Sequence, residues 1–247
     1  MSGTRLCVFS VLSIFLAAAS PRPARRDGLP QAVVRGRIEI QNPQVKIRDG
    51  RADAGGVVVW LIPTDGVPTP PARPVRVRVL QRDKRFIPHV TAVEVGSEVD
   101  FPNLDPFFHN VFSTFDGKTF DLGLYANGES RPVRFNRPGV SFIFCNIHPQ
   151  MSAVVVSVDT PYFAVSAQDG TVSIQDALVG TYELRVWHER SDPRQLVALR
   201  RVVSIESPAT DLGVIRLDES SYIPATHKNK HGEDYRDSGE PRAYRRP

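Results

Sequence analysis

Four side chains able to hold a soft metal ion fall in two short stretches of this chain. Cys145, His148 and Met151 lie within the seven residues Cys145-Asn146-Ile147-His148-Pro149-Gln150-Met151, and His109 stands upstream in His109-Asn110-Val111-Phe112. A thiolate is a soft, covalent donor, and imidazole binds both oxidation states of copper. A thioether is a weak donor that can sit at long range and tune potential without imposing a geometry. Two imidazoles, one thiolate and a weak thioether are the donor set on which a copper ion exchanges single electrons, because the same geometry serves both oxidation states.

Cysteine usage sharpens this reading. The chain has two cysteines, and Cys7 lies in an N-terminal apolar run. Once that run is removed, Cys145 is the sole thiol, so it is a ligand, a nucleophile or an inert core residue. An inert thiol leaves the His and Met spacing unexplained. Zinc would find only three good ligands here, since Met serves it poorly. A cysteine hydrolase would need a base, an orienting group and oxyanion donors, and His148 alone supplies none of the last two. The other histidines read differently. His89 follows Pro88 at a strand edge as a surface or packing residue, and His188 beside Trp187 reads as structural. His227 and His231 stand four apart in a polar tail, where solvated side chains are the commoner outcome.

The ends of the chain frame the site. A basic start at Arg5, an apolar run from Leu6 to Ala19 and the small residues Ala17-Ala18-Ala19-Ser20 have the form of a secretory signal over residues 1–20. The run is shorter than the roughly 20 apolar residues a spanning helix needs, and no other stretch could span a membrane. This predicts a periplasmic or extracellular protein with no transmembrane segment after signal removal; a retained N-terminal anchor is the alternative. Residues 219–247 are polar and short of aliphatic side chains, so they read as an extended tail, docked at most through Tyr222, Tyr235 or Tyr244. The net charge of +4 comes from 31 basic and 27 acidic residues that are interspersed, which leaves no basic stripe for nucleic acid. No signal for an oligomeric state stands out.

Between the ends, proline is abundant and long helical periodicity is absent, which predicts an all-β fold. Residues 31–66 hold an alternating strand, Val34-Arg35-Gly36-Arg37-Ile38, and an apolar one, Val57 to Ile62. Four prolines between Pro68 and Pro74 mark a linker. Residues 72–160 carry the next strand group, in which Val93, Val95, Val99 and Phe101 face a core and residues 139–145 feed the ligand loop. Residues 161–218 hold five further short strands, one of them over residues 195–205, with Asp169-Gly170 as a hairpin turn.

Residues 72–160 resemble the cupredoxins, on Phe86-Ile87-Pro88, on residues 95–103, on His109-Asn110-Val111 and on residues 144–151; the Cys-x₂-His-x₂-Met spacing is similar to that of the amicyanin group. The flanking strands resemble a carboxypeptidase-regulatory-like, or Cna-B-like, sandwich. The matching residues are 167–174 and 179–187, with 34–38 and 55–61 as its opening strands. The opening strands precede the cupredoxin-like stretch, so the expected architecture is a Greek-key sandwich inserted into a second, smaller one, which is then split in sequence.

The resemblance implies one type 1 copper ion, with His109, Cys145 and His148 equatorial and Met151 axial. It places Asn110 where a hydrogen-bonded side chain ties the two ligand loops, and Asn103 in a similar supporting part. Phe108, Phe142, Phe144, Ile147 and Pro149 would keep the site dry, leaving the His148 edge at an apolar surface. The implied activity is single-electron transfer with no bond chemistry, to a redox partner of the dehydrogenase or cytochrome class. Two rivals use the same residues or the same fold: a copper carrier or buffer, and a surface binding module for carbohydrate or protein with a structural copper domain. Trp60 and Trp187 lie in apolar strands and read as core, which weighs against exposed glycan platforms.

Overall fold

In a computed structural model the chain is described over residues 29–235, apart from positions 48, 65, 69, 116 and 224–226. The expected signal segment, residues 1–20, and Tyr244 lie outside the described residues. What is described is nearly all β, with one short helix. No helix among these residues is long and apolar enough to cross a membrane.

Two strands open the chain, β1 (Gln31–Gln41) and β2 (Val58–Pro63). Ten follow: β3 (Arg76–Arg78), β4 (Leu80–Arg82), β5 (Arg85–Ile87), β6 (Val90–Glu94), β7 (Glu98–Pro102), β8 (His109–Phe115), β9 (Lys118–Tyr125), β10 (Ser130–Arg134), β11 (Gly139–Phe144) and β12 (Ser152–Val158). Five close it: β13 (Phe163–Val165), β14 (Thr171–Leu178), β15 (Gly180–Trp187), β16 (Arg201–Ile205) and β17 (Ala209–Asp218).

The first two strands share two sheets with the last five. One sheet has the order β14-β1-β17 and another β13-β2-β15-β16. β1 runs parallel to β17, from the far end of the described chain, and antiparallel to β14. Alternation sends Val34 and Ile38 of β1, Leu61 of β2, Tyr182 and Leu184 of β15 and Ile215 of β17 into one core. This is a sandwich made from two separated pieces of sequence. The intervening strands form an inserted lobe, with a five-stranded sheet β6-β12-β11-β8-β9 and a three-stranded sheet β10-β7-β3. Val93, Val99, Phe101, Val111, Ile143 and Val155 fill its core. Val95 is only half-buried.

β12 explains how the two lobes meet. Its run Ala153-Val154-Val155-Val156 is apolar on both faces, as expected of a strand covered on both sides. Ala153 and Val155 enter the inserted core, whereas Val154, Val156 and Val158 pack against Val58 of β2. Trp60 and Trp187 border that seam half-buried, so they belong to the junction and not to the centre of either sandwich. Polar contacts extend the seam. His89 Nε2 meets Glu189 Oε2 at 2.6 Å, and His89 Nδ1 meets the Ser152 carbonyl at 3.1 Å. Buried Glu219 accepts from His188 Nε2, Arg190 Nε and the Gln44 amide, which makes His188 a structural residue.

One element departs from expectation. The stretch 195–205 was to be a strand; residues Pro193–Ala198 form a helix instead, and only Arg201–Ile205 is extended. Asp192 accepts from the Arg194 amide as N-cap and Pro193 opens the first turn, a start signal that outweighs the β-type residues after it.

Gly170 turns β13 into β14 at φ +84°, and a Cβ there would collide with the Ile38 carbonyl oxygen. Gly170→Ala is expected to lower stability by about 1–3 kcal/mol, read by denaturant unfolding; an unchanged midpoint would contradict the close approach. The seam should also respond to pH. The Glu189 carboxylate raises the His89 pKa above 6.5 against the effect of burial. Burial works to raise Glu189, but His89, with Arg190 and His188, outweighs it and leaves that carboxyl below 4.5. Stability from His89 is present below its unfolded value and lost as pH rises through its folded value; stability from Glu189 is lost as pH falls. The thermal midpoint should therefore fall between about pH 6 and pH 9, and His89→Gln should flatten that fall; an equally steep fall in the variant would refute it. The effect should be small, because His89 is half-exposed.

Candidate metal centre

β8 begins at His109, and β11 ends one residue before Cys145, so two neighbouring strands deliver the upstream imidazole and the thiol to one end of the inserted lobe. The loop to β12 is closed on itself. The Cys145 amide donates to the Met151 carbonyl at 3.1 Å, and the Met151 amide donates to the His148 carbonyl at 3.0 Å. This closure turns His148 back beside Cys145. Cys145 Sγ lies 3.8 Å from His109 Nδ1 and 3.6 Å from His148 Nδ1, and the three donor atoms lie within 4.8 Å of one another. An ion bonded at about 2.3 Å to sulfur and about 2.0 Å to nitrogen in trigonal or tetrahedral angles needs such donors about 3.5–3.7 Å apart. The two sulfur-to-nitrogen separations match that spacing to within about 0.1 Å. Met151 is fully buried in the same cluster as Cys145.

The carboxylate of Asp105 fixes the His109 ring. His109 Nε2 sits 2.7 Å from Asp105 Oδ2, and both groups are buried. The carboxylate accepts, so Nε2 carries the proton and the Nδ1 lone pair faces the thiol. Asp105 stays ionised although burial works against it, because it also accepts the Lys84 and Asp83 amides at 3.0 and 2.7 Å. Burial lowers the His109 pKa more than Asp105 restores it. His148 is pushed down to about 4 by burial, by His109 and by Lys84. Both rings are thus neutral donors at neutral pH. Burial raises the Cys145 thiol, so formation of the thiolate on metal binding releases a proton.

Asn110 and Asn103 support the loops by different routes. Asn110 Oδ1 accepts the Asn146 amide at 3.3 Å, which joins the His109 strand to the Cys145 loop, and its Nδ2 donates to Asp121 Oδ1 at 2.7 Å. Asn103 touches no donor; it accepts the Asp105 amide and donates to the Phe107 and Tyr125 carbonyls, holding the 103–109 turn that carries Asp105. Phe144 alternates with Ile143 and Cys145 along β11 and projects to the other face, where it packs against Phe112 and His227. The aromatic that meets both imidazoles is Phe107, 5.1 Å from the His109 ring and 5.7 Å from the His148 ring. Phe142 packs on Trp187 at the seam, and Phe108, Ile147 and Pro149 are exposed. Sequence reading missed Asp105 and Phe107. The signal for the first was a carboxylate four residues before a candidate ligand in Asp105-Pro106-Phe107-Phe108-His109. His227 and His231 form no metal-ligating group among the described residues.

No protein-family model matches this chain, and no curated protein sequence matches it. Among solved structures, a purple cupredoxin from Nitrosopumilus maritimus is 21% identical over 33% of this chain and 99% of its own, with a TM-score of 0.31. Amicyanin from Paracoccus versutus is 19% identical over 42% of this chain and 98% of its own, at 0.32. A copper-containing nitrite reductase from Thermus scotoductus SA-01 is 25% identical over 38% of this chain and 24% of its own, at 0.33. Likeness at this level assigns nothing to the chain; what the site can do follows from its own donors.

Replacing Asp105 by Asn removes the charge that holds the His109 tautomer. Asp105→Asn should weaken copper binding by about 10- to 100-fold in competition with a chelator of known affinity. Equal affinity in variant and parent would show that His109 needs no such support.

Proposed function

We propose that this chain is an exported blue-copper protein that carries single electrons between redox partners of the cell envelope. In this reading residues 72–160 are a cupredoxin domain. His109, Cys145 and His148 would hold one type 1 copper ion, with Met151 as a weak fourth donor. The observation that carries it is the buried Cys145 thiol with two imidazole Nδ1 atoms at 3.6 and 3.8 Å, in a loop that also contains buried Met151. This softness and this count favour copper over zinc or a hard cation. Copper bound there would supply a one-electron Cu(I)/Cu(II) couple.

The residues around the donors do the remaining work. Buried His109, Cys145 and Met151 keep water from the donors, so little solvent has to reorganise when charge changes. His148 is half-buried, and its chain neighbours Ile147 and Pro149 are exposed. An apolar partner surface of the dehydrogenase or cytochrome class would meet the site at this edge. The outer lobe, read as a carboxypeptidase-regulatory-like sandwich, would serve as spacer or docking domain, and the N-terminal apolar run as export signal.

Adding Cu(II) to the protein from Pro21 onward should give an intense visible thiolate-to-copper band and an EPR spectrum with narrow copper hyperfine splitting. Both should vanish in Cys145→Ser. A colourless adduct or ordinary tetragonal copper would overturn the electron-transfer reading, and rapid surrender of the ion to a chelator would favour a copper carrier.

A further inference from the structure

Residues 227–235 should have little reason to be ordered. Lys228-Asn229-Lys230-His231-Gly232-Glu233-Asp234 has no aliphatic side chain to bury. Even so, the segment folds into a compact turn. Asn229 Oδ1 accepts the His231 and Glu233 amides at 2.9 and 3.0 Å, the Gly232 amide returns to the Asn229 carbonyl, and Gly232 takes φ +78°. An Asn side chain that mimics a backbone turn is what organises such a polar stretch.

The turn is fastened to the outside of the ligand loop at four places. Tyr235 Oη donates to the carbonyl of Cys145 at 2.7 Å. The Lys230 amide donates to Asn146 Oδ1 at 2.9 Å, and Lys230 Nζ pairs with Asp121 Oδ2 at 2.7 Å. The His227 ring stacks on Phe144 with centroids 4.0 Å apart, and Tyr235 stands edge-on to it at 5.1 Å. Two of these anchors, Asn146 and Asp121, are the partners of Asn110. Lys230 therefore closes a ring, Asn110 to Asp121 to Lys230 to Asn146 and back to Asn110, that joins the His109 strand, the Cys145 loop and the end of the described chain. Phe144 is the strap's seat, which accounts for its place on the face of β11 opposite Cys145.

Resting on the copper reading above, we infer that residues 227–235 are a strap belonging to the metal centre, with Tyr235 as a positioning residue that holds the Cys145 loop through its carbonyl and slows loss of the ion. Tyr235 is suited to the part. It is half-buried, and its hydroxyl lies within hydrogen-bond distance of the Cys145 carbonyl. It touches the backbone of Cys145 and leaves the sulfur free for metal. A ligand loop whose backbone carbonyl is held opens less readily, so the strap should act on release more than on capture.

The test uses the full chain and Tyr235→Phe, which removes one hydroxyl, and with it the contacts to the Cys145 carbonyl and to His227 Nδ1 at 3.1 Å, and keeps the ring edge-on to His227. In the metal-free protein, amide hydrogen exchange over residues 144–151 should quicken by about fivefold, the scale of one lost hydrogen bond. In the copper form, loss of Cu(II) to excess chelator should quicken by a similar factor. Lys230→Met should act in the same direction, and His231→Ala, whose side chain is not used, should match the parent. Loop exchange equal to the parent in Tyr235→Phe overturns the inference. So does faster exchange with unchanged copper loss, which would make the strap a clamp without a part in the centre. A parent chain with no thiolate-to-copper band sinks the electron-carrier reading instead, and loop exchange still decides whether the strap holds the loop.

Discussion

A buried imidazole with a buried carboxylate on its far nitrogen is the constraint on which this centre depends. His109 has no exposed surface, so its Nε2 proton must find an acceptor inside the protein, and Asp105 is the one it has. That carboxylate is itself expensive to bury unless amides surround it. The chain supplies them from the Asp83-Lys84 turn, where both residues have positive φ, and Asn103 receives the Asp105 amide in return. The β4–β5 hairpin, the 103–109 turn and the start of β8 are thereby one assembly. Its product is a single ring tautomer aimed at a single sulfur.

The two histidines are not equivalent. His109 is locked by charge from behind, whereas His148 is placed by a short loop and by contact with Phe107 and the His109 ring. The asymmetry suits a centre that must be rigid inside and approachable on one side. The loop network adds a second kind of rigidity, because Asn110 binds both the strand behind it and the loop in front. The Cys145 sulfur stands at bonding separation from both imidazole nitrogens, and a centre held near that geometry keeps reorganisation small when charge changes.

Much of this was readable from the chain. The donor types and the Cys145-to-Met151 spacing stand in plain sequence, and period-two alternation marks β1, β7, β11 and β15. The joining role of Asn110 was implied by the family resemblance and not by its residue type. Other features had no local signature. A strand buried on both faces, such as β12, looks like any apolar run until its second partner is known. Phe144 and Phe107 are one aromatic among several, and which of them meets the imidazoles depends on strand phase and turn geometry. The short helix at Pro193 was signalled by Asp192-Pro193, but the Val and Leu residues beyond spoke louder. The docking of a charged tail depends on partners more than eighty residues away in sequence, beyond the reach of any composition rule.

The insertion of one lobe into the other has a consequence for how the molecule holds together. The inserted lobe leaves from β2 and returns at β13, and those strands are hydrogen-bonded neighbours, Trp60 opposite Phe163. Both of its chain ends are therefore mounted side by side on one sheet, and the lobe cannot swing as a pendant domain on one tether would. Seen from the outer sandwich, the inserted lobe is a loop of about 100 residues whose closure alone costs roughly 4 kcal/mol of chain entropy in a disordered chain. A folded insert brings the two ends together beforehand, so the outer sandwich inherits its own strand pairing from the fold of its passenger.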